Sequence, residues 1–495
     1  MEHYDLVVIG GGPSGYAGAM RAVDFGKRVL LIEKNRLGGA GIYNGVLTSK
    51  TLWEQGLKVD AIRSVVNDYQ PAFAQFSELV NDAVFERKTQ MSVHLKLLEK
   101  HYNKGFYYEK GWASFKDAHH INIQKEGQVK TVYAKHVLIA TGSKPRIPDS
   151  IQVDEEIIVT SNGIRNFKAF PKKMVILGAG VTGCEFATIF SLYAKTQVNL
   201  IDKADRILPT EDDDVALEVQ HNLQAHGAVI HHGAKLTFMK VVNGRVEYGL
   251  QFSDKREDIF VVDKALISIG RQPVTEGLHP ERAGLQLKPN GGIWHDDTQT
   301  NISHIYVSGD VSTDMALVNV AEREARHAVV RMFGPGIKPL TYKNISSIMF
   351  LNPEVAAVGY NEQQLRERGI PHRVVKVDYS VIARAIAMRK TRGFIKILVT
   401  HDYAMRILGM RVVGEHASSA IQAVAYLIHT QQGIRELADM MHPHPSIIEG
   451  VQEALRMLLN KSIYKPYIFK DRLKCYAYEN GSVILLNDLT DDEPV

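Results

Sequence analysis

The 495-residue chain holds only two cysteines, Cys184 and Cys475, and that scarcity excludes a small scaffold built on disulfides. It suits a reducing compartment. Also missing is any uninterrupted apolar run near the roughly 18 residues that a membrane-spanning helix needs. The start, "MEHYDLVVIGGG", lacks the basic region, apolar core and small-residue cleavage site of a secretory leader. These absences predict a cytoplasmic protein without a membrane span. Nor is there an excess of one charge: 59 basic and 55 acidic residues leave a formal +4, and the basic ones are scattered. Nucleic acid would find no basic stripe to grip. His119-His120 and His231-His232 have no partner at zinc-ligand spacing, so no metal site is predicted.

What is present is a globular composition, 45% hydrophobic and 23% charged, long enough for several separate cores. Three short apolar strands end in glycine-bearing turns: "DLVVIGGGPSGYAGA", "KMVILGAGVTGCEFA" from Lys173, and "HIYVSGD" ending at Asp310. The first two continue as G-x-G-x-x-G and a helix of small residues, which predicts two dinucleotide-binding units. In the first, Gly10, Gly12 and Gly15 permit a tight turn and let a pyrophosphate approach the helix N-terminus; Glu33, closing "RVLLIEK", can accept from an adenosine ribose. In the second, Gly178, Gly180 and Gly183 repeat the pattern, and Asp202 ends "QVNLID". An acid there repels a 2′-phosphate and favours NAD(H) over NADP(H), while nearby Arg206 works the other way.

Between these units, Thr51 to Tyr102 reads as one long amphipathic helix, and strand-rich sequence follows as far as "HVLIATGSKPRIP". "MALVNVAEREARHAVVRMFG" has the spacing of a helix with a glycine stop. From Thr341 the strands "GFIKILV" and "RILGMRVVG" precede helices around Ala417 to Gly433 and Ser446 to Leu459, an α+β pattern. In "CYAYENGSVILL", Asn480-Gly481 sits between alternating segments and predicts a hairpin, with "DLTDDEPV" as a solvated acidic tail. Cys184 lies in the second fingerprint helix as a small packing residue, and Cys475 has no cysteine near it in sequence.

With "ATGSKPRIP", "ISIGRQP", "YVSGD", "NPEVAAVGYNEQQL", "GFIKILV", "RILGMRVVGEHAS" and "HPHPSIIE" in this order, the chain resembles the class I pyridine nucleotide-disulfide oxidoreductases. The likeness runs from residue 4 to 460 and is strongest to the dihydrolipoamide dehydrogenase and soluble transhydrogenase branches. It implies an α/β fold: two Rossmann-like dinucleotide-binding domains, for FAD and NAD, plus an α+β C-terminal dimerisation domain. The implied FAD domain covers 1–150 and 275–340, the NAD domain 151–274 and the dimerisation domain 341–460; a C-terminal extension with the hairpin fills 461–495. A homodimer using FAD and NAD(H) follows from the resemblance.

By the same resemblance, Gly39, Ala113, Thr141, Gly142, Asp310, Ala316 and Leu317 would border FAD, and Gly270 the nicotinamide nucleotide. Lys50 would lie near the flavin N5 and pair with Glu185, either to tune hydride transfer or as a salt bridge between domains. His444 and Glu449 match the family's acid-base pair, where they would move a proton or serve interface structure.

One part of the pattern is missing. The family carries two cysteines five positions apart in a stretch that corresponds here to "GGAGIYNGVLTSK". Aligned on Gly38-Gly39 and Ser49-Lys50, those positions are Gly41 and Val46, and Thr48 replaces the usual proline. Disulfide exchange needs an attacking thiolate and a second thiol. The sequence therefore predicts an NADH-dependent flavoprotein that passes electrons to a small non-disulfide acceptor such as a quinone, a dye-like molecule or oxygen. Two alternatives stand beside it: a soluble pyridine nucleotide transhydrogenase, to which "DYSVIARAIAM" is similar, and a non-enzymatic FAD/NADH-binding interaction protein.

Overall fold

The computed structural model describes every residue except 44, 67, 68, 70 and 487–495, so the acidic tail lies outside the described residues. The chain forms two compact units, Met1–Gly178 with Lys235–Leu340, and Ala179–Ala234 with Thr341–Val495.

In the first unit the strand Glu2–Ile9 lies between Val29–Glu33 and Gln128–Ile139, all parallel. Phe106–Lys110 extends the sheet beyond Val29–Glu33; Ile305–Val307 pairs parallel with Gln128–Ile139, and His120–Lys125 with Trp112–Phe115 closes the far side antiparallel. Val29–Glu33 is buried along its whole length, which is why its sequence is a continuous run rather than an alternation. Helix Pro13–Asp24 begins with proline and buries Gly15, Gly18, Ala19 and Ala22, side chains small enough for close approach to a sheet. The strands Ile158–Val159 and Lys173–Leu177 both pair parallel with Lys264–Ile267, and Lys235–Val242, Arg245–Gln251 and Glu257–Val262 form an antiparallel sheet.

The single long helix expected over Thr51 to Tyr102 is two helices, Val46–Arg63 and Phe73–His101. Pro71 stands between them. It has no N–H to donate, and its ring collides with the preceding turn, so a helix cannot run through.

Histidines gather where the antiparallel strands join the parallel ones. The His119 and His304 rings stack at 3.8 Å and 5°, their nitrogens turned to the carbonyls of Ala134 and Ala118 respectively. Burial first, and then the His119 ring, hold the His304 pKa below the usual imidazole value; burial does the same for His136. The unfolded chain therefore binds protons before the folded one, and stability rises with pH through this range. The thermal midpoint should fall as pH is lowered from about 7 to about 5, around the free imidazole pKa of ~6.5. His304→Gln should flatten the fall, and an unchanged slope would show that His304 does not contribute.

In the second unit, Gln197–Ile201 pairs parallel with Val229–His231, and helix Val181–Leu192 is buried nearly throughout. Its larger sheet is antiparallel, in the order Ser346–Met349, Val355–Gly359, Ile407–Val413, Phe394–Thr400, His372–Asp378, Leu473–Glu479, Ser482–Leu485. Helices Gln422–Thr430 and Ile448–Leu458 share one apolar core with this sheet. The hairpin at 473–485 thus continues the sheet of residues 341–460. Its turn is Asn480-Gly481, with φ of 52° and 80°, the double positive φ that a two-residue hairpin of matching twist requires. Among the described residues no helix is long and apolar enough to cross a membrane.

Candidate dinucleotide and redox site

The first glycine turn is shaped by sterics. Gly10 has φ of 111°, and a Cβ there would stand 2.3 Å from the Ala140 carbonyl oxygen. At Gly15 a Cβ would meet the Gly10 oxygen at 1.8 Å, so the helix can rest on the turn only without a side chain. Gly12 is the N-cap, and a Cβ there would have nothing within 4 Å. That open side at a helix N-terminus fits a pyrophosphate. Gly39 opens a short helical turn with φ of 48°, its Cβ direction 3.4 Å from the Gly12 Cα.

Glu33 does more than the sequence suggests. Its carboxylate accepts from the Gly11 N–H at 2.7 Å through one oxygen and from the Asn35 N–H at 2.7 Å through the other. The acid at the end of the second strand therefore braces the glycine turn and keeps lone pairs for a ribose hydroxyl. Asp202 repeats this in the second unit: Oδ2 accepts from Ala179 N–H at 2.6 Å and Oδ1 from Ala204 N–H at 2.9 Å. Gly180 caps helix Val181–Leu192 with its Cβ direction open, and Gly183 is buried within that helix. In the first unit, Gly178 (φ 102°) passes the Ser268 carbonyl oxygen at a Cβ distance of 2.6 Å, as Gly10 passes Ala140.

Around Asp310 the first unit assembles residues from distant segments. The Ser143 hydroxyl donates to Asp310 Oδ2 at 2.5 Å. Arg271 donates to the Ser143 hydroxyl at 2.7 Å and its carbonyl at 2.9 Å, with Asp310 3.7 Å away. Burial depresses the Arg271 pKa and Asp310 works to restore it. Strands Ser143–Pro145 and Arg271–Pro273 pair antiparallel. Thr141 donates to the Val274 carbonyl at 2.6 Å; Gly142 and Gly270, with φ of 70° and 108°, leave open space where a side chain would stand. Glu324 accepts from Gly309 N–H at 2.7 Å, and the Ser14 and Ser308 hydroxyls meet at 2.6 Å. Sequence reasoning missed Ser143, Arg271, Glu324 and Ser308; the first, second and last lie within "ATGSKPRIP", "ISIGRQP" and "YVSGD" and had a local signal, while Glu324 had none. Ala113 is buried on Trp112–Phe115; Ala316 is exposed and Leu317 half-buried, Leu317 capping helix Val318–Phe333.

Lys50 is half-buried on helix Val46–Arg63. Gly41 is crowded, since a Cβ there would meet Pro13 Cγ at 2.7 Å, and Val46 is 42% exposed in the first helical turn. Both cysteines are buried, and neither is part of a disulfide. Burial pushes the Cys184 thiol far up and the Cys475 thiol up to about 12, so neither is a thiolate at neutral pH.

Three of the expected catalytic residues, Glu185, His444 and Glu449, belong to the second unit. Glu185 is buried and accepts from Phe350 N–H at 3.1 Å; Lys50 belongs to the first unit. His444 and Glu449 are brought together, Nδ1 to Oε1 at 2.7 Å, while the other Glu449 oxygen accepts from Ser446 N–H at 2.8 Å. Because a carboxylate only accepts, Nδ1 carries a proton and Nε2 is left for exchange.

A family model described as pyridine nucleotide-disulphide oxidoreductase matches residues 4–325, and its dimerisation domain matches 345–455. A dihydrolipoyl dehydrogenase from Corynebacterium glutamicum is 32% identical over 92% of this chain and 97% of its own. The LpdA structure from Mycobacterium tuberculosis superposes with a TM-score of 0.84 at 26% identity, over 92% of this chain and all of that one. A Cu(II) complex of the HOCl-induced flavoprotein disulfide reductase RclA from Escherichia coli does so at 0.83 and 26%, with the same coverage.

Proposed function

The chain belongs to the pyridine nucleotide-disulphide oxidoreductase family, oxidoreductases that use FAD and NAD(H), and from that premise we propose that it oxidises NADH and delivers the electrons to a small acceptor that is not a disulfide. One observation carries this reading: between Gly38–Gly39 and Ser49–Lys50, which we read as the flavin-binding frame, stand Gly41 and Val46 rather than cysteines, and both thiols of the chain are buried elsewhere, on helix Val181–Leu192 and strand Leu473–Glu479. No described thiol stands ready to attack a substrate sulfur.

Bound FAD would supply the two-electron relay between NADH and the acceptor. The residues supply the rest. Gly10, Gly12, Gly15, Gly39 and Glu33 hold the adenosine and pyrophosphate portion, with Ala113 on the adenine side; Thr141, Gly142, Asp310, Ala316 and Leu317 border the remainder. Gly178, Gly180, Gly183, Asp202 and Gly270 hold NAD(H). Arg206, the residue that could have welcomed a 2′-phosphate, donates instead to the Glu211 and Pro209 carbonyls at 2.7 and 3.0 Å and to the Gln363 side chain at 2.7 Å. That commitment favours NADH. Lys50 and Glu185 set the charge beside the flavin, and His444 Nε2, with Nδ1 fixed by Glu449, moves a proton for the acceptor. We further infer a homodimer, supported by the dimerisation-domain match, and a cytoplasmic setting, supported by two cysteines that form no disulfide.

Anaerobic titration of the FAD-loaded protein with NADH is the test. Stoichiometric NADH should bleach the flavin without a long-wavelength thiolate-to-flavin band, and a screen of quinones, dyes and oxygen should then restore the oxidised spectrum. A thiolate band, or turnover of dihydrolipoamide, would overturn the proposal. Rapid reduction of thio-NADP by NADH would replace it with transhydrogenation, and the absence of bleaching with a non-enzymatic role.

A further inference from the structure

The extension beyond residue 460 lies outside the family match, which ends at 455, yet it reaches a buried cluster of charges in the second unit. Strand Leu473–Glu479 pairs with His372–Asp378 and points Leu473, Cys475 and Ala477 into buried surroundings. By strand alternation Tyr476 faces the other way. There its hydroxyl donates to both oxygens of Glu362, at 2.9 and 3.0 Å, and burial together with that carboxylate drives its pKa upward.

Glu362 begins the short helix Glu362–Glu367, whose start grips the loop that follows Asp202. The Glu362 and Gln363 N–H groups donate to the two Asp212 oxygens at 3.2 and 2.9 Å. Asn361 donates to the Thr210 carbonyl at 2.8 Å, and Gln363 accepts from Arg206. Lys396, 2% exposed, bridges Glu362 at 3.5 Å with Asp212 and Asp214 at 2.7 Å each. Arg411 pairs with Glu211 at 2.7 Å. At its other end the loop closes on the glycine turn: Leu208 N–H donates to the Ala179 carbonyl at 2.9 Å, and Ala179 N–H donates to Asp202. The path from the Tyr476 hydroxyl to Asp202 is contiguous, and after Tyr476 it consists of buried charges and backbone groups.

We propose that Tyr476 is a positioning residue for the NAD(H) adenosine site, acting through Glu362 on the loop from Lys203 to Asp212 that holds the glycine turn and Asp202 in place. The inference rests on the reading of Asp202 as the ribose acceptor. A phenol that fixes the Glu362 carboxylate also fixes the backbone donors beside it. Without the hydroxyl, Glu362 keeps Lys396 and Arg366 but gains freedom to tilt, and the loop loses one restraint. The extension would then act as a brace supplied from outside the family core.

The test is NAD+ binding to the full-length, FAD-loaded protein by calorimetry, since NAD+ does not reduce the flavin. Tyr476→Phe should weaken binding about three- to tenfold, the range in which residues remote from a ligand modulate its site. Flavin content and thermal midpoint should stay near those of the unaltered protein. Glu362→Gln should weaken binding too, and the double variant should lose less than the product of the two effects, as members of one network do. Unchanged affinity in Tyr476→Phe, or a lowered midpoint with unchanged affinity, would overturn the inference and leave the reading of Asp202 standing. Failure of the unaltered protein to bind NAD+ would remove that reading and the inference together.

Discussion

A Gly15→Ala chain should purify without flavin. A Cβ at this position would lie 1.8 Å from the Gly10 carbonyl oxygen, 3.0 Å from its carbon and 3.2 Å from Val8 Cγ1. None of the first two atoms can yield, because they are backbone in a turn whose own residue has φ of 111°. Relief requires lifting helix Pro13–Asp24 off the turn by more than an ångström. That displacement also withdraws the helix N-terminus from the pyrophosphate, so overpacking of typically 1–3 kcal/mol or more acts on fold and cofactor together. Gly12→Ala separates the two effects. Its added methyl meets nothing within 4 Å in the protein, so the fold should survive while the methyl occupies space that the pyrophosphate needs. The ratio of flavin to protein absorbance and the thermal midpoint read both: Gly15→Ala should lose both, Gly12→Ala only the first. A Gly15→Ala protein with a full complement of FAD would refute this account of the turn.

Gly10 and Gly15 were legible in the sequence because their constraint is local: a strand, a turn and a helix close together in sequence leave no side chain room there. The strand pattern was legible for the same reason, burial on both faces leaving "VLLIE" with no polar position before its final acid. The break near Pro71 was missed, because the amphipathic spacing on both sides concealed it. What could not be read was long-range. Arg271 meets Ser143 across 128 positions and Ser143 meets Asp310 across 167, so no window contains the arrangement. Glu33 and Asp202 were read from the sequence as ribose acceptors, while their bonds to the Gly11 and Ala179 N–H groups depend on how the turn folds back onto the second strand. The Asn480-Gly481 turn announced a hairpin. Its place on His372–Asp378 did not follow, because strand register is set by which side chains find a buried face.

Lys396→Met should be the most destabilising change in the second unit. The lysine is almost completely buried, and burial works against its charge; Asp214, Asp212 and Glu362 outweigh that and hold its pKa above the ordinary lysine value. Lys396 and Lys376 in turn hold the Asp214 pKa low against its own burial. Methionine fills much of the same volume and removes the charge that three carboxylates share. Lys376 still reaches Asp214 at 2.9 Å and Arg366 still reaches Glu362, but Asp212 loses its ammonium partner. Breaking a buried ion pair by deleting one member costs about 3–5 kcal/mol, because the remaining charge stays desolvated. The pH dependence identifies the cause. In the variant, crowded carboxylates take up protons in the folded state at a higher pH than in the unfolded chain, so its stability falls as pH rises. The gap in unfolding free energy between the unaltered protein and Lys396→Met should therefore be widest near neutral pH and narrow toward about pH 5. A gap that stays constant over that range would mean that packing, rather than charge, is what Lys396 contributes.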